Sequence, residues 1–169
     1  WNIWREQDTE GQASLVDQIV AGRVPTEQDK TLIKKKKKER LRKFAKYFVV
    51  YDANIKKICR YQQFFAVEAI MKTIAENDPA GNRQSGVIWH TQGSGKSLTM
   101  VMVSKYILEE LSSVSPKVIV VTDRKELDKQ IAKTFTHTRL TPARATSGKN
   151  LCDLINEGKA DVITSIINK

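Results

Sequence analysis

The sequence predicts an α/β fold in which a parallel sheet is covered by helices, and three observations carry that expectation. The apolar run Val87-Ile88-Trp89 leads directly into His90-Thr91-Gln92-Gly93-Ser94-Gly95-Lys96-Ser97 and then into a helical pattern. That order is a strand, a phosphate-binding loop and a helix. Two further apolar runs, Val118–Val121 and Val162–Ile166, alternate with amphipathic stretches of helical length. Strands that alternate with helices build a parallel sheet with both faces covered.

Taken in order, residues 1–29 are polar and acidic, with a possible short helix over Ser14 to Val20. From Lys30 to Tyr47 the chain is rich in lysine, and Leu32, Ile33, Leu41, Phe44 and Phe48 are spaced roughly for a helix. Phe48-Val49-Val50-Tyr51, ended by Asp52-Ala53-Asn54, suggests a strand or an extended entry into the next unit. The expected domain boundary is therefore residues 1–47 as a linking helical segment and 48–169 as the α/β unit. Arg60 to Ala75 reads as a helix whose stripe of Phe64, Val67, Ile70, Met71 and Ile74 faces a core.

Val87 to Trp89 is expected as the first central strand and Ser97 to Leu111 as the helix after the loop. The continuous β-branched run from Val118 to Val121 suits a strand buried on both faces. Lys125 to Phe135 reads as a helix burying Leu127, Ile131 and Phe135. Pro142 to Thr146 suits a short strand. Ser147 or Asn150 can cap a helix carrying Leu151, Leu154 and Ile155, and Val162 to Ile166 completes the set.

Composition narrows the class. The chain has 169 residues and a net charge of +10, with most of the surplus in residues 30–46, where Glu39 is the one acid. No apolar stretch reaches membrane-spanning length and no signal peptide is visible, so a soluble, cytoplasmic protein without membrane contact is expected. Cys59 and Cys152 are far apart and lack metal-ligand spacing, which suits reduced thiols. The chain opens at Trp1 without an initiator Met and closes just after an apolar run, which suggests a piece of a longer polypeptide.

The loop at His90–Ser97 carries the strongest chemistry. A polyphosphate needs many hydrogen-bond donors on a backbone that can come close, which Gly93 and Gly95 permit. Lys96 would bring a cation to the β- and γ-phosphates, the Ser97 hydroxyl would ligate Mg²⁺, and the helix that starts here adds its positive dipole end. ATP and Mg²⁺ are the cofactors this pattern implies. One position departs from the usual G-x-x-x-x-G-K-[ST]: the opening glycine is His90.

Other candidates are weaker. A glutamine amide can pair with both N6 and N7 of adenine, so Arg60-Tyr61-Gln62-Gln63 is a base-reading candidate. Taken alone, a surface glutamine is the simpler reading, and the candidate gains weight because the next strand carries the phosphate loop. Thr122 to Lys125 ends a central strand, the edge of an open parallel sheet that faces ligands, and Arg124 and Lys125 could hold backbone phosphates or simply start a solvated helix. Asp123 could support Mg²⁺ in a tight arrangement, while Asp161 precedes its apolar run and fits less well. The simpler expectation is that the metal-supporting and water-activating carboxylates lie beyond Lys169, so that the chain alone binds nucleotide but hydrolyses it poorly. Lys34 to Lys38 is either a solvated basic stretch or a nucleic-acid contact. His90 and His137 have no partner readable from the sequence.

Together these segments resemble the motor (R) subunit of type I restriction enzymes, a family of superfamily 2 helicase-like DNA translocases. Phe48-Val49-Val50-Tyr51-Asp52 is similar to that family's lead into the motor. Arg60-Tyr61-Gln62-Gln63-Phe64-Phe65-Ala66-Val67 resembles its adenine-recognition segment, with Gln63 in the glutamine position. Trp89 to Met100 is very close to its first motif, in which His opens the loop. Val120 to Gln130 resembles a DNA-contact motif. Asp161 to Lys169 resembles the next one, with Ser165 where Thr is more usual.

The resemblance implies part of the first RecA-like lobe of a P-loop NTPase, preceded by a helical linker. It implies that Gln63, Thr91, Gln92, Gly93, Ser94, Gly95, Lys96, Ser97 and Leu98 bind ATP, with Lys96 stabilising charge in phosphoryl transfer and Ser97 on Mg²⁺. Arg124, Lys125, Thr164 and Ser165 would touch the DNA backbone. The expected parent is an ATP-driven double-stranded DNA translocase and endonuclease, working with modification (methyltransferase) and specificity subunits, its nuclease core outside residues 1–47. Another superfamily 2 motor, and a basic nucleic-acid-binding module with a vestigial nucleotide site, remain open alternatives.

Overall fold

A computed structural model describes Val24, Thr26 and residues 38–158 and 160–167. The Ser14–Val20 helix and Lys34 to Lys37 lie outside the described residues, and Lys38 enters only as the first residue of a helix. That helix, α1 (Lys38–Tyr47), turns Phe44 and Tyr47 inward at i and i+3 and leaves Leu41 exposed. A hairpin follows, β1 (Val49–Asp52) antiparallel to β2 (Ile55–Ile58). Its turn residues Ala53 and Asn54 both have positive φ, at 49° and 65°, as a tight two-residue hairpin turn requires.

Helix α2 (Tyr61–Ala75) starts where the backbone amide of Arg60 donates to Gln63 Oε1 at 2.8 Å. It buries Phe64 and Val67, whereas Ile70, Met71 and Ile74 are only partly covered. Helix α3 (Lys96–Glu110) is the central helix, burying Thr99, Val101, Met102, Ser104 and Tyr106. The remaining elements are β3 (Val118–Thr122), α4 (Lys125–His137), β4 (Ala143–Arg144), α5 (Gly148–Asn156) and β5 (Val162–Ile166). Ser147 caps α5, its Oγ accepting from the Asn150 amide at 3.1 Å. The three strands form a parallel sheet in the order β3-β5-β4, with Val120 opposite Thr164 and Arg144 opposite Thr164 on the other side. Every residue of the central strand β5 is buried.

The core is aromatic on one side and aliphatic on the other. Phe44 stacks on Phe64 at 5.8 Å, Phe48 lies 4.7 Å from Phe64, and Tyr47 stacks on Tyr106 at 4.2 Å. Val67, Val101, Met102, Ile131, Phe135 and Val162 continue it toward the sheet. Phe44, Tyr47 and Phe48 share one cluster. The tie at the far end is polar: Asp52 accepts from Lys57 Nζ and lies 3.2 Å from His137 Nδ1, joining the hairpin to the end of α4. His137 thus gains a partner that the sequence did not reveal.

Three expectations are corrected. Val87 to Trp89 forms no strand ladder among the described residues, and Trp89 is 89% exposed. The β3 strand is not buried on both faces: Ile119 is 41% and Val121 53% exposed, and only β5 pairs with it. Leu127 is 39% exposed, and α4 buries Asp128 beside Ile131 and Phe135, the Asp128 carboxylate accepting from the partly exposed Arg144. The α/β class itself stands.

Candidate functional site

The residues around Gly93 form a loop closed on itself. Ser94 donates through both its amide (3.3 Å) and its hydroxyl (2.7 Å) to the Thr91 carbonyl. Lys96 Nζ donates to the same carbonyl at 3.0 Å, so its ammonium spans the loop. Gly93 and Gly95 have φ of 75° and 87°, a region that other residues enter at a cost. Gly95 is the N-cap of α3 and offers no side chain to cap it, which leaves the first-turn amides of α3 available to an anion. A glycine loop, one ammonium and an uncapped helix N-terminus together suit an anion.

Gln63 connects this loop to α2. Its Nε2 donates to the Gly95 carbonyl at 3.0 Å and to Thr99 Oγ1 at 3.3 Å, while Oε1 accepts from the Arg60 amide. The side chain is buried and its whole amide is engaged. A Cβ on Gly95 would come within 2.7 Å of Gln63 Nε2, so this contact exists only because residue 95 has no side chain. Beside the loop is a cavity of about 530 Å³ lined by Arg60, Gln62, Ala66, Trp89, Gly93 and Ser94. That volume is ordinary for a small-molecule site. Gln62 faces it, whereas Gln63 is turned toward the loop. Thr91 and Gln92 are exposed, Ser97 is half-buried, and Leu98 packs against the core.

Among the described residues, no acidic side chain hydrogen-bonds to Lys96 or Ser97, and no group of three His, Cys, Asp or Glu side chains is placed to hold a metal. Asp123 instead lies 3.2 Å from Arg124 Nε, both exposed at the surface. Such a pair contributes little.

The second candidate region is the sheet edge beyond β3 and β5. Arg124 and Lys125 are exposed at the start of α4, but Thr164 and Ser165 are buried within β5. Two residues that the sequence left unmarked meet here: Arg144 of β4 donates through Nε (3.0 Å) and Nη2 to Oδ2 of the buried Asp128. Their signal was faint, an acid at i of an i, i+3, i+7 series shared with Ile131 and Phe135.

Comparison with known proteins follows this geometry. The family model described as SWI2/SNF2 ATPase matches residues 62–169, more than half of the chain. The chain belongs to the SWI2/SNF2 ATPase family. The match starts at Gln62, at the head of α2, and includes the whole glycine loop. Among relatives, the type I restriction enzyme HindI endonuclease subunit of Haemophilus influenzae is 41% identical over 103 residues, 57% of this chain and 10% of that protein. A Methanocaldococcus jannaschii protein, provisionally named the type I restriction enzyme MjaIXP endonuclease subunit, is 34% identical over 137 residues, 79% of this chain and 13% of that protein. The SauCOLORF180P endonuclease subunit of Staphylococcus aureus is 37% identical over 92 residues, 54% of this chain and 9% of that protein. The chain thus spans about a tenth of the length of the curated relatives it matches. Membership of an ATPase family fits the nucleotide chemistry of the loop. Among the described residues, no helix is long and apolar enough to cross a membrane.

Proposed function

We propose that this chain is the ATP-binding part of the restriction and translocation subunit of a type I restriction-modification enzyme. The observation that carries the reading is the loop at Gly93–Ser97, closed by Lys96 and open at the uncapped N-terminus of α3. The names of the similar endonuclease subunits support its setting. ATP phosphates would lie in the loop against Thr91 to Leu98, with Lys96 against the charge that develops in phosphoryl transfer. Mg²⁺, held in part by the Ser97 hydroxyl, would neutralise phosphate oxygens. The base would lie at the head of α2. Gln62 already faces that cavity, and Gln63 would exchange its bonds to Gly95 and Thr99 to reach adenine.

In this reading hydrolysis drives movement along double-stranded DNA in the cytoplasm, with Arg124, Lys125, Thr164 and Ser165 as backbone contacts. The buried pair Thr164 and Ser165 would act there through backbone groups or after local opening of the edge. Modification and specificity subunits would complete the complex. Residues 1–47 would link motor and nuclease, and 48–169 would begin the motor.

The test is titration with a non-hydrolysable ATP analogue. Lys96→Ala should weaken binding at least tenfold, since a charge-assisted contact contributes about 1.5–3 kcal/mol. Unchanged affinity removes the enzyme reading and leaves a basic binding module. Residues 1–169 by themselves should bind the analogue without appreciable phosphate release, because among the described residues no carboxylate hydrogen-bonds to Ser97 and no acidic group is placed to hold a metal. Release abolished by Lys96→Ala would instead point to Asp123. A second reading, another superfamily 2 DNA-dependent motor outside the restriction enzymes, is favoured by the SWI2/SNF2 ATPase family model that matches residues 62–169. DNA cleavage by the whole protein decides between them.

A further inference from the structure

The Asp128–Arg144 pair has a cost that a purely structural tie would not need. Asp128 is 2% exposed, and its second oxygen, Oδ1, has no hydrogen-bond partner among the described residues. Taking a carboxylate out of water costs several kcal/mol, and well-packed apolar residues in place of a buried ion pair are often neutral or stabilising. Joining α4 to β4 could be done with a leucine and a methionine. A buried carboxylate does something they cannot: it fixes the orientation of a guanidinium.

Among the described residues, Arg144 is held along one edge only. Its Nε and Nη2 donate to Asp128 Oδ2, and its side chain remains 44% exposed. The guanidinium has five N–H donors in a rigid fork, so the Nη1 edge still faces outward. A fork already fixed loses less freedom when it captures an anion.

Its place in the fold supplies the anion. Arg144 ends β4 in register with Thr164 of β5, and β5 is in turn paired to β3, which ends at Thr122 just before Arg124. Two strand spacings, about 10 Å, separate β4 from β3 across that edge. Asp128 lies one turn into α4, roughly 6 Å along the axis from Arg124. Arg144 is thus level with Val120, two residues before the end of β3, and through Asp128 it lies against the first turn of α4, close to the end of the sheet that Arg124 and Lys125 border. Asp123 and Glu126 are exposed on that border too, and Asp123 already draws Arg124 sideways. Arg144 differs from Arg124 in that its anchoring carboxylate is out of solvent.

We propose that Arg144 is a further phosphate-backbone contact for double-stranded DNA, and that Asp128 is the residue that positions it. This rests on the reading of this edge as DNA-facing. In the whole protein, binding to an unrelated DNA duplex should be followed across a salt series. Arg144→Gln should reduce the log–log salt slope by about one and weaken affinity equally for different sequences. Asp128→Asn should weaken affinity while keeping the slope, since the charge remains but its orientation is lost. The double variant Asp128→Leu/Arg144→Met should keep the melting temperature, because the buried charges leave together, and still show the reduced slope.

Affinity for the ATP analogue should be unchanged in all three. If the Arg144 variants melt earlier but bind DNA with wild-type affinity and slope, the pair is a structural tie and the proposal is overturned. Arg124→Gln with Lys125→Gln separates the two levels of inference. If that variant weakens DNA binding and Arg144→Gln does not, only the role of Arg144 falls. If neither does, the DNA-facing reading falls with it.

Discussion

At Gly95, two demands meet on one residue. Its φ of 87° lets the loop turn into α3, and its missing side chain lets Gln63 reach its carbonyl. Gly95→Ala would meet both obstacles, a left-handed backbone costing about 1–2 kcal/mol and a Cβ in the path of Gln63. We expect a lower denaturation midpoint and weaker binding of an ATP analogue from this one methyl group. Gly93→Ala, with open space around its Cβ, should show the backbone cost alone. Equal effects from both substitutions would show that Gln63 does not hold the loop. The glycines were readable in the sequence because a phosphate loop demands them. The engagement of Gln63 was not, since it depends on a partner on another element.

Between elements, the tie of the hairpin to α4 is electrostatic. The Lys57 ammonium, helped by His137, holds the Asp52 carboxyl below its ordinary range despite some desolvation. A group whose pKa is lower in the folded state stabilises the fold above its unfolded pKa. That stability disappears as pH falls through the folded value. Unfolding free energies measured from neutral to strongly acidic pH should therefore show Asp52→Asn less stable than the wild type near neutrality, with the gap closing in acid. A gap of constant size would mean that Asp52 contributes by packing rather than by charge.

The elements themselves were unevenly legible. The helices at Tyr61–Ala75 and Lys96–Glu110 and the strand at Val162–Ile166 announce themselves through apolar spacing and a marked loop. By contrast, β2 hides because Lys56 and Lys57 occupy its middle. Asp128 hides because burial of an acid follows from Arg144, a residue remote in sequence. Thr164 and Ser165 carry a DNA-contact resemblance, yet the central strand covers their side chains, a fact set by neighbours on both sides rather than by local pattern.

For the molecule as a whole, the aromatic cluster, α3 and the sheet form one continuous support behind the loop. Phe44, Phe48, Phe64 and Tyr106 fix α1 and α2 against α3, and Ile131, Phe135 and Val162 carry the packing on to the sheet. The loop is anchored through α3 and through the Gln63 contact to Gly95, whereas its lead-in at Val87 to Trp89 is not packed into this support.

The outer edge of β3 has a different consequence. Among the described residues only β5 pairs with that strand, and Ile119 and Val121 remain exposed beside a groove of about 370 Å³ that also includes Ile88, Met100 and Val103. An unpaired strand edge with apolar side chains is a template for any other extended chain. Residues 1–169 produced alone should self-associate as concentration rises, and light scattering should detect it. Ile119→Lys with Val121→Lys should keep the polypeptide monomeric without altering its circular dichroism, as lysine does on natural sheet edges. Monomers of the unsubstituted polypeptide at high concentration would contradict this. If the edge behaves as expected, solubility of the nucleotide site depends on what covers β3, and a preparation that precipitates would be reporting an unpaired strand rather than a misfolded loop.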